Sequence, residues 1–551
     1  MLAHAKASVS ASLAEGGIAL PADFSREHDV LVLAGSGAAA WLPELERQGV
    51  RRVVVFAPTG EAPPGMPRVA ASAPDVVAHV LDFEPAVRRV SLRRLPSGVD
   101  DEQFDTLKKT VEGGGMNRAT FASYGAVWVK HAFANLPYLA RWPSVECLKG
   151  AFAGMPCLLV SPGPSLAKNI AVLAKIADRV LIIAGNRALA PLRDAGIVPH
   201  FVIVADALDL AYQLDGGLLD GVPALILEVA AHPAVCALQA SRCFFFSAIH
   251  EIHTSTLAGL EQQAFLSGGG SVATVALSLA LHLGAGPIAM VGQDLALDGE
   301  QYYIPSAPDG DTRIKLSDGV GVFENLSPEL RQAMHEGGGA KHGQAAVQHF
   351  IKVPGFHGGE VLTSVQFDTY RRWLGRTAGE QAGQVRLLNC TEGGARIDNM
   401  EQARLSDLAA ELALVPFDAT PKLDACLASS TPRERQQSVE RHIKRLQQAG
   451  QEALEEAQRC ERISYQVERA PHQLERLDKA ELKLNQAVRK LPFVVALTST
   501  EVERARKAGA NATSLAESLQ ASRALYAVIK QAVLLARPAL SEALQRTKRA
   551  A

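Results

Sequence analysis

The chain has 551 residues, of which 48% are hydrophobic, 21% charged and 5% aromatic. At roughly 150 residues per domain that length suits two to four packed domains, and the apolar fraction excludes global disorder. Fifty-six Lys and Arg against 58 Asp and Glu leave a net charge of -2, so no overall field draws the chain onto nucleic acid or an anionic membrane.

Seven cysteines (Cys147, Cys157, Cys236, Cys243, Cys390, Cys426, Cys460) are scattered without a CxxC pair, which suggests neither a disulfide framework nor a thiolate zinc site. The opening MLAHAKASVSASLAEGG has no continuous apolar core with basic flanks, which argues against a secretory signal. The uncharged run from Gly268 to Gly292 opens with three glycines and breaks again at Gly284, Gly286 and Pro287. It fits a glycine loop, a buried helix and a buried strand better than a membrane span. The expectation is a cytoplasmic protein with no membrane insertion.

In chain order, residues 1–115 carry the first pattern. VLVLAGSG, an apparent helix AAAWLPELERQG and RRVVVFAP make a βαβ unit, hence a Rossmann-like α/β domain. Gly35 and Gly37 imitate the start of a dinucleotide fingerprint. The third small position is Ala40 and the second strand ends Val55-Phe56-Ala57 without a ribose-binding acid, so the motif is structural. Residues 116–148 form a helical connector whose aromatic stripe suits core packing. From 149 to 400, PCLLVSPGPS, RVLIIAGN, HFVIVADA, PALILEV and GPIAMVGQD are strands that end in Gly, Asn or Asp, several separated by helical stretches. Near-continuous apolar strands joined by helices predict a central doubly wound parallel sheet, with ligands beyond the carboxyl ends of its strands. From 401 to 551 Glu, Gln, Arg, Leu and Ala dominate, and Leu474, Leu477, Leu484, Val488 and Leu491 line one helix face. This is an all-α domain whose composition suits a bundle, and a natural place for a partner.

No GxxxxGK[ST], HExxH or GxSxG motif occurs. What remains is a set of strand-end clusters. Ser161-Pro162-Gly163-Pro164-Ser165 follows the first central strand, with Ser165 suited to cap the next helix, whose N-terminus is an anion site. Gly185-Asn186-Arg187 and Asp206 end the next two strands. Ser267-Gly268-Gly269-Gly270-Ser271 opens a helix, and its glycines would let the backbone approach a ligand. Val291-Gly292-Gln293-Asp294 closes a strand ahead of Tyr302 and Tyr303, and Asn389-Cys390-Thr391-Glu392-Gly393-Gly394-Ala395 comes last.

In order and spacing these clusters resemble the motility-associated factor (Maf) flagellin glycosyltransferase family. The stretches that carry the resemblance are PCLLVSPGPSLAKNI, LAPLRDAGIVPHFVIVAD, GGGSVATVALSLALHLGAGPIAMVGQDLALDG, GGEVLTSVQFDTYRRWL and LLNCTEGGARI. The resemblance implies a sialyltransferase-like central domain and transfer of a nonulosonic acid, of pseudaminic or legionaminic type, from a CMP-sugar to Ser or Thr of flagellin. It implies Gly163, Pro164, Ser165, Gly269, Gly270, Ser271, Asp294, Tyr302 and Tyr303 at the donor nucleotide and Asn186 at the next strand end, with no metal or other cofactor. The acceptor hydroxyl needs a base. Asp206 is the carboxylate candidate, and His349, with His342 and His357, lies where the sialyltransferase histidine would be. Two other readings stand beside it. One is a pterin pyrophosphokinase-like enzyme using ATP and magnesium, the other a non-catalytic flagellin-binding assembly factor.

Overall fold

A computed structural model of the chain describes residues 8–9, 20, 29–35, 38–57, 69–70, 76, 89–95 and 97–549, except 239, 258, 261, 318–319, 337–347, 413–414, 430, 495–496, 499–504, 506–507, 509–511 and 513. The chain divides into two compact units, Met1–Gly125 and Ala126–Ala551.

In the first unit, β1 (Ser8–Val9), β2 (Asp29–Ala34), β3 (Val53–Phe56), β4 (Val69–Ala70) and β5 (Arg89–Arg94) form a parallel sheet in the order β1-β5-β2-β3-β4. The expected βαβ unit is β2, α1 (Leu42–Arg47) and β3. Gly35 has φ +133°, and a Cβ there would stand 2.4 Å from the Ser97 carbonyl, so this glycine serves the turn itself. Gly37 lies outside the described residues. Helix α2 (Asp101–Arg141) follows.

The second unit is built on an eight-stranded parallel sheet in the order β10-β9-β8-β7-β6-β11-β16-β17. Its strands are β6 (Cys157–Val160), β7 (Leu181–Gly185), β8 (Phe201–Val204), β9 (Ala224–Glu228), β10 (Cys243–Phe246), β11 (Ile288–Val291), β16 (Leu387–Asn389) and β17 (Glu401–Gln402). The five strands expected from the sequence are all present. Their residues are apolar without alternation because both faces are covered. Leu159, Ile183 and Ile203 face a core with Leu277 and Leu279 of α4 (Val272–His282), while Leu158, Ile182 and Val291 face one with Leu166 and Leu173 of α3 (Leu166–Ile176). The chain steps from β6 outward to β10 and then returns to the other side of β6, so the sheet's switch point lies between β6 and β11.

Between β11 and β16 the chain adds an antiparallel sheet of β12 (Arg313–Ser317), β13 (Val320–Glu324), β14 (Gln348–Pro354) and β15 (Glu360–Ser364), followed by α5 (Val365–Glu380). Polar alternation (RIKLS, VGVFE) fits a sheet with one wet face.

The C-terminal region is helical, with α6 (Pro432–Arg469), α7 (Leu474–Arg489) and α8 (Leu515–Arg549). Thr431 and Glu434 close a capping box at the start of α6. Leu477, Leu484 and Leu491 are buried as their spacing requires, whereas Leu474, at the first position of α7, is 42% exposed. Of the connector's aromatic stripe, Phe133 is core and meets Phe493 edge-on at 5.2 Å, while the half-buried Tyr138 carries the Arg546 guanidinium. Among the described residues no helix is long and apolar enough to cross a membrane.

One expectation from the cysteines is corrected. Cys147 and Cys426, separated by 279 positions, are joined by a disulfide with Cα atoms 5.4 Å apart, linking the turn after α2 to the helix at 420–428. Such a pair is set by tertiary packing and leaves no spacing signal. The other five cysteines are buried, and burial raises each thiol's pKa. Thiol titration of the denatured, unreduced protein is therefore expected to find five thiols, and seven after reduction. Seven before reduction would remove the cross-link.

Candidate functional site

The strand ends divide the expected site residues into two groups with different surroundings. The first lies at the switch point. Gly163, Pro164 and Ser165 are buried there. The Ser165 hydroxyl donates to Asp294 Oδ2 at 2.8 Å, and the Ser165 amide lies 3.3 Å from both carboxylate oxygens. Ser165 thus does not cap α3 with its side chain, as the sequence suggested; Asp294 supplies the carboxylate at that helix end instead. A Cβ on Gly163 would stand 2.0 Å from Asp294 Oδ2 and 2.4 Å from the Gly292 carbonyl. Gly394, at φ +65°, presses against the Asp294 carbonyl in the same way, and Ala395 donates to that carbonyl at 2.7 Å. Nearby, Glu392 accepts from Asn169 Nδ2 at 2.8 Å and from the Leu405 amide at 3.0 Å, while its carbonyl accepts from Lys168 at 3.0 Å. The His357 ring is bonded to that same carbonyl at 3.1 Å.

Burial pushes the Asp294 carboxyl up to about 6, against the opposing pull of the Ser165 bonds and Lys168. The anion position at the start of α3 is therefore filled by the protein's own carboxylate.

The second group is gathered at the carboxyl ends of β7 and β8 and around the start of α4. Ser271 caps α4 and forms a capping box with Thr274, whose hydroxyl also accepts from the Gly269 amide at 2.8 Å. Gly270 has φ +93° and is exposed, and a Cβ on it would stand 3.2 Å from Cε1 of Tyr370 in α5. The same construction on Gly269 would strike the Trp373 ring at 2.5 Å, and on Gly268 the Val275 side chain at 2.8 Å. Glycines read from the sequence as room for a ligand are thus partly room for α5. The first turn of α4 still presents the N–H groups that a helix cannot satisfy internally.

Opposite this turn, Arg187 rests on the Tyr303 ring at 5.2 Å and pairs with Asp309 at 3.4 Å. Asp309 sits at φ +62°. Its carboxylate also accepts from Tyr212 at 2.9 Å, Gln213 at 3.1 Å and Ser327 at 2.5 Å, which pins the segment after β11 onto the ends of β7 and β8. Asn186 is buried and donates to Gln213 within this network. Asp206 is half-buried, holds the Leu208 amide at 2.9 Å, and bears electrostatically on both Arg187 and Tyr370. Burial pushes the Tyr370 hydroxyl up to about 12, opposed by a hydrogen bond from Gln366, so this phenol stays protonated at neutral pH.

The structure thus brings Gly270, Ser271, Asp206, Arg187 and Tyr303 to one place. Tyr302 is buried behind them, edge-on to Tyr303 at 4.8 Å and stacked on Phe367 at 4.8 Å in the core of the antiparallel sheet. The side chain of His349 and all of His342 lie outside the described residues. Tyr370, Tyr212, Gln213 and Asp309 were not singled out in the sequence; only Tyr370 stood within a stretch that carried the resemblance, GGEVLTSVQFDTYRRWL. Among the described residues no group of three His, Cys, Asp or Glu is placed to hold a metal ion.

A family model described as 6-hydroxymethylpterin diphosphokinase MptE-like matches residues 130–300. No curated protein matches the chain. Among solved structures, the chain is similar to a Maf glycosyltransferase from Magnetospirillum magneticum AMB-1, at 14% identity and a TM-score of 0.48, over 94% of this chain and 78% of that one.

The adjoining strand β9 ends in a buried carboxyl. Glu228 accepts from the Ala230 amide and, more weakly, from Ser247 and Ala248, and burial pushes it up to about 7. Between its ordinary 4.5 and about 7 the folded state binds a proton that the unfolded chain releases, so this group's contribution falls as pH rises. The gain in unfolding free energy from Glu228→Gln over the parent is expected to be larger at pH 8 than at pH 5, by on the order of 1–3 kcal/mol. A gain equal at both pH values would show that the carboxyl does not titrate in this window.

Proposed function

We propose that the chain is a glycosyltransferase of the Maf type, transferring a nonulosonic acid from a CMP-sugar to Ser or Thr of flagellin in the cytoplasm. The observation that supports this best is the polar cluster at the ends of β7 and β8: Asp206, Arg187, Tyr303 and Tyr370 around the exposed start of α4. The ordered strand-end motifs of residues 116–400 support it from the sequence side.

The chemistry asked of such a cluster is limited. As the bond from the donor carbon to the phosphate oxygen breaks, CMP leaves with growing negative charge. The N–H groups of the first turn of α4, the Tyr303 and Tyr370 hydroxyls and the Arg187 guanidinium are the groups that would stabilise it. The acceptor hydroxyl attacks the donor carbon, and its proton passes to the Asp206 carboxylate. Ser165, Gly163 and Asp294 would act on this site by fixing the floor between β6 and β11, and Asn186 by holding Gln213. None of these roles calls for a metal or another cofactor.

The other enzymatic reading is a pterin pyrophosphokinase-like activity with ATP and magnesium, and the family-model match over residues 130–300 does not decide between the two. A thermal-shift titration with CMP, CTP, UDP and ATP, with and without magnesium, separates the two, since a ligand of the folded state raises the midpoint by mass action. Stabilisation by CMP without magnesium is expected; a magnesium-dependent shift with ATP alone would replace the reading with the kinase one. With flagellin and CMP-nonulosonate, Asp206→Asn is expected to lower turnover by roughly 10²–10⁴-fold while keeping the CMP shift. Unmodified flagellin with the parent protein, read by intact mass, would leave the non-catalytic flagellin-binding reading.

A further inference from the structure

A concave site lies in the helical region, away from the strand ends. Arg459, Arg462 and Gln466 stand on one flank of α6 at three- and four-residue steps, and Arg476 and Lys479 face them from α7. With Ile463 at the base, they line an open groove of about 310 Å³. Four cations line it and no acid does. Among the described residues, carboxylates meet two of them from outside the lining: Glu456 lies 3.7 Å from Arg459 and Glu475 lies 2.6 Å from Lys479. Arg476 donates to the Gln473 amide oxygen at 2.7 Å, and among the described residues no acid lies within 4.0 Å of Arg462. The groove is therefore a local excess of positive charge on a chain whose net charge is -2.

The surroundings select among anionic partners. Lys479 is 73% and Arg459 50% exposed, so a small anion would stay in water, where such pairs are screened and weak. A chain segment laid along the groove would cover these side chains and strengthen the same contacts. No aromatic ring lines the groove, and the nearby Tyr465 already carries the Arg523 guanidinium at 4.5 Å, so bases have no stacking platform. One isoleucine is too little apolar surface for insertion into a lipid interface.

We infer that the groove between α6 and α7 docks an acidic segment of a partner protein, whose carboxylates pair with Arg459, Arg462, Arg476 and Lys479. This stands independently of the chemistry proposed for the strand ends. The test uses the full chain and a short fluorescent glutamate-rich peptide, with the same peptide carrying glutamine in place of glutamate as the control, read by anisotropy at low and physiological salt. The glutamate peptide is expected to bind and to weaken with salt. Arg462→Glu with Arg476→Glu is expected to weaken it by about tenfold or more. Both positions are exposed, and an unchanged unfolding midpoint with an unchanged response to CMP would separate loss of the groove from loss of the fold or of the strand-end site. Equal binding of the two peptides, or an affinity that survives the charge reversal, would overturn the inference. So would tripolyphosphate binding at the groove with no peptide binding, which would assign it to small anions.

Discussion

The contact on which the rest of the second unit depends is the Asp294 carboxylate against the Gly163-Pro164-Ser165 turn. It joins the two strands between which the sheet changes direction, β6 and β11, at the point where a doubly wound sheet naturally opens a crevice. Both ends of the contact are built for it. Gly163 has no Cβ because the carboxylate and the Gly292 carbonyl occupy that space, and Gly394 closes over the aspartate backbone from the loop after β16. Burying a carboxylate costs free energy unless hydrogen bonds replace water. The Ser165 hydroxyl and amide supply those bonds, yet the carboxyl is still held at about 6.

Closing the switch point moves the open polar surface one strand along, to the ends of β7 and β8. There the segment after β11 turns back, with Ile304 donating to the Pro162 carbonyl at 2.8 Å and Asp309 gripping Tyr212, Gln213 and Arg187. A single aspartate accepting from four side chains fixes that segment more firmly than one surface ion pair would. It also orients Arg187 over Tyr303, so the cation beside Asp206 is held by packing as well as by charge. The two aspartates thus divide the work: Asp294 fixes the floor, and Asp309 fixes the wall.

The parallel strands were legible in the sequence because both their faces are buried and the runs are apolar throughout, as in LLV before Ser161 or FVIV before Ala205. The edge strand β10 (CFFF) is as apolar but was not marked among them, and the antiparallel insertion was missed because alternation such as RIKLS reads equally well as a polar loop. At the site the limit was of another kind. A glycine in a sequence announces that a Cβ is absent but not what takes its place. For Gly269 that occupant is Trp373, for Gly163 it is Asp294, and both come from segments over a hundred positions away. Tyr370 and Asp309 carried no local motif, since a tyrosine in an amphipathic helix and an aspartate in a Pro-Asp-Gly turn both have ordinary structural explanations. Only the tertiary arrangement makes them neighbours of the strand ends.

The same arrangement explains why a near-zero net charge was a poor guide to this molecule's electrostatics. Two acidic groups lie where they are least solvated: Asp294 and Glu228 are buried at strand ends, both with carboxyls held well above their ordinary range by desolvation. Four cations, two of them met by a carboxylate from outside the groove, are exposed between α6 and α7. A buried carboxyl near neutrality is sensitive to what binds beside it, because a neighbouring anion raises its pKa further and a neighbouring cation lowers it. An exposed cationic groove responds chiefly to ionic strength and to being covered. The two regions are therefore tuned to different variables, proton activity at the strand ends and salt at the helical pair, although they belong to one compact unit.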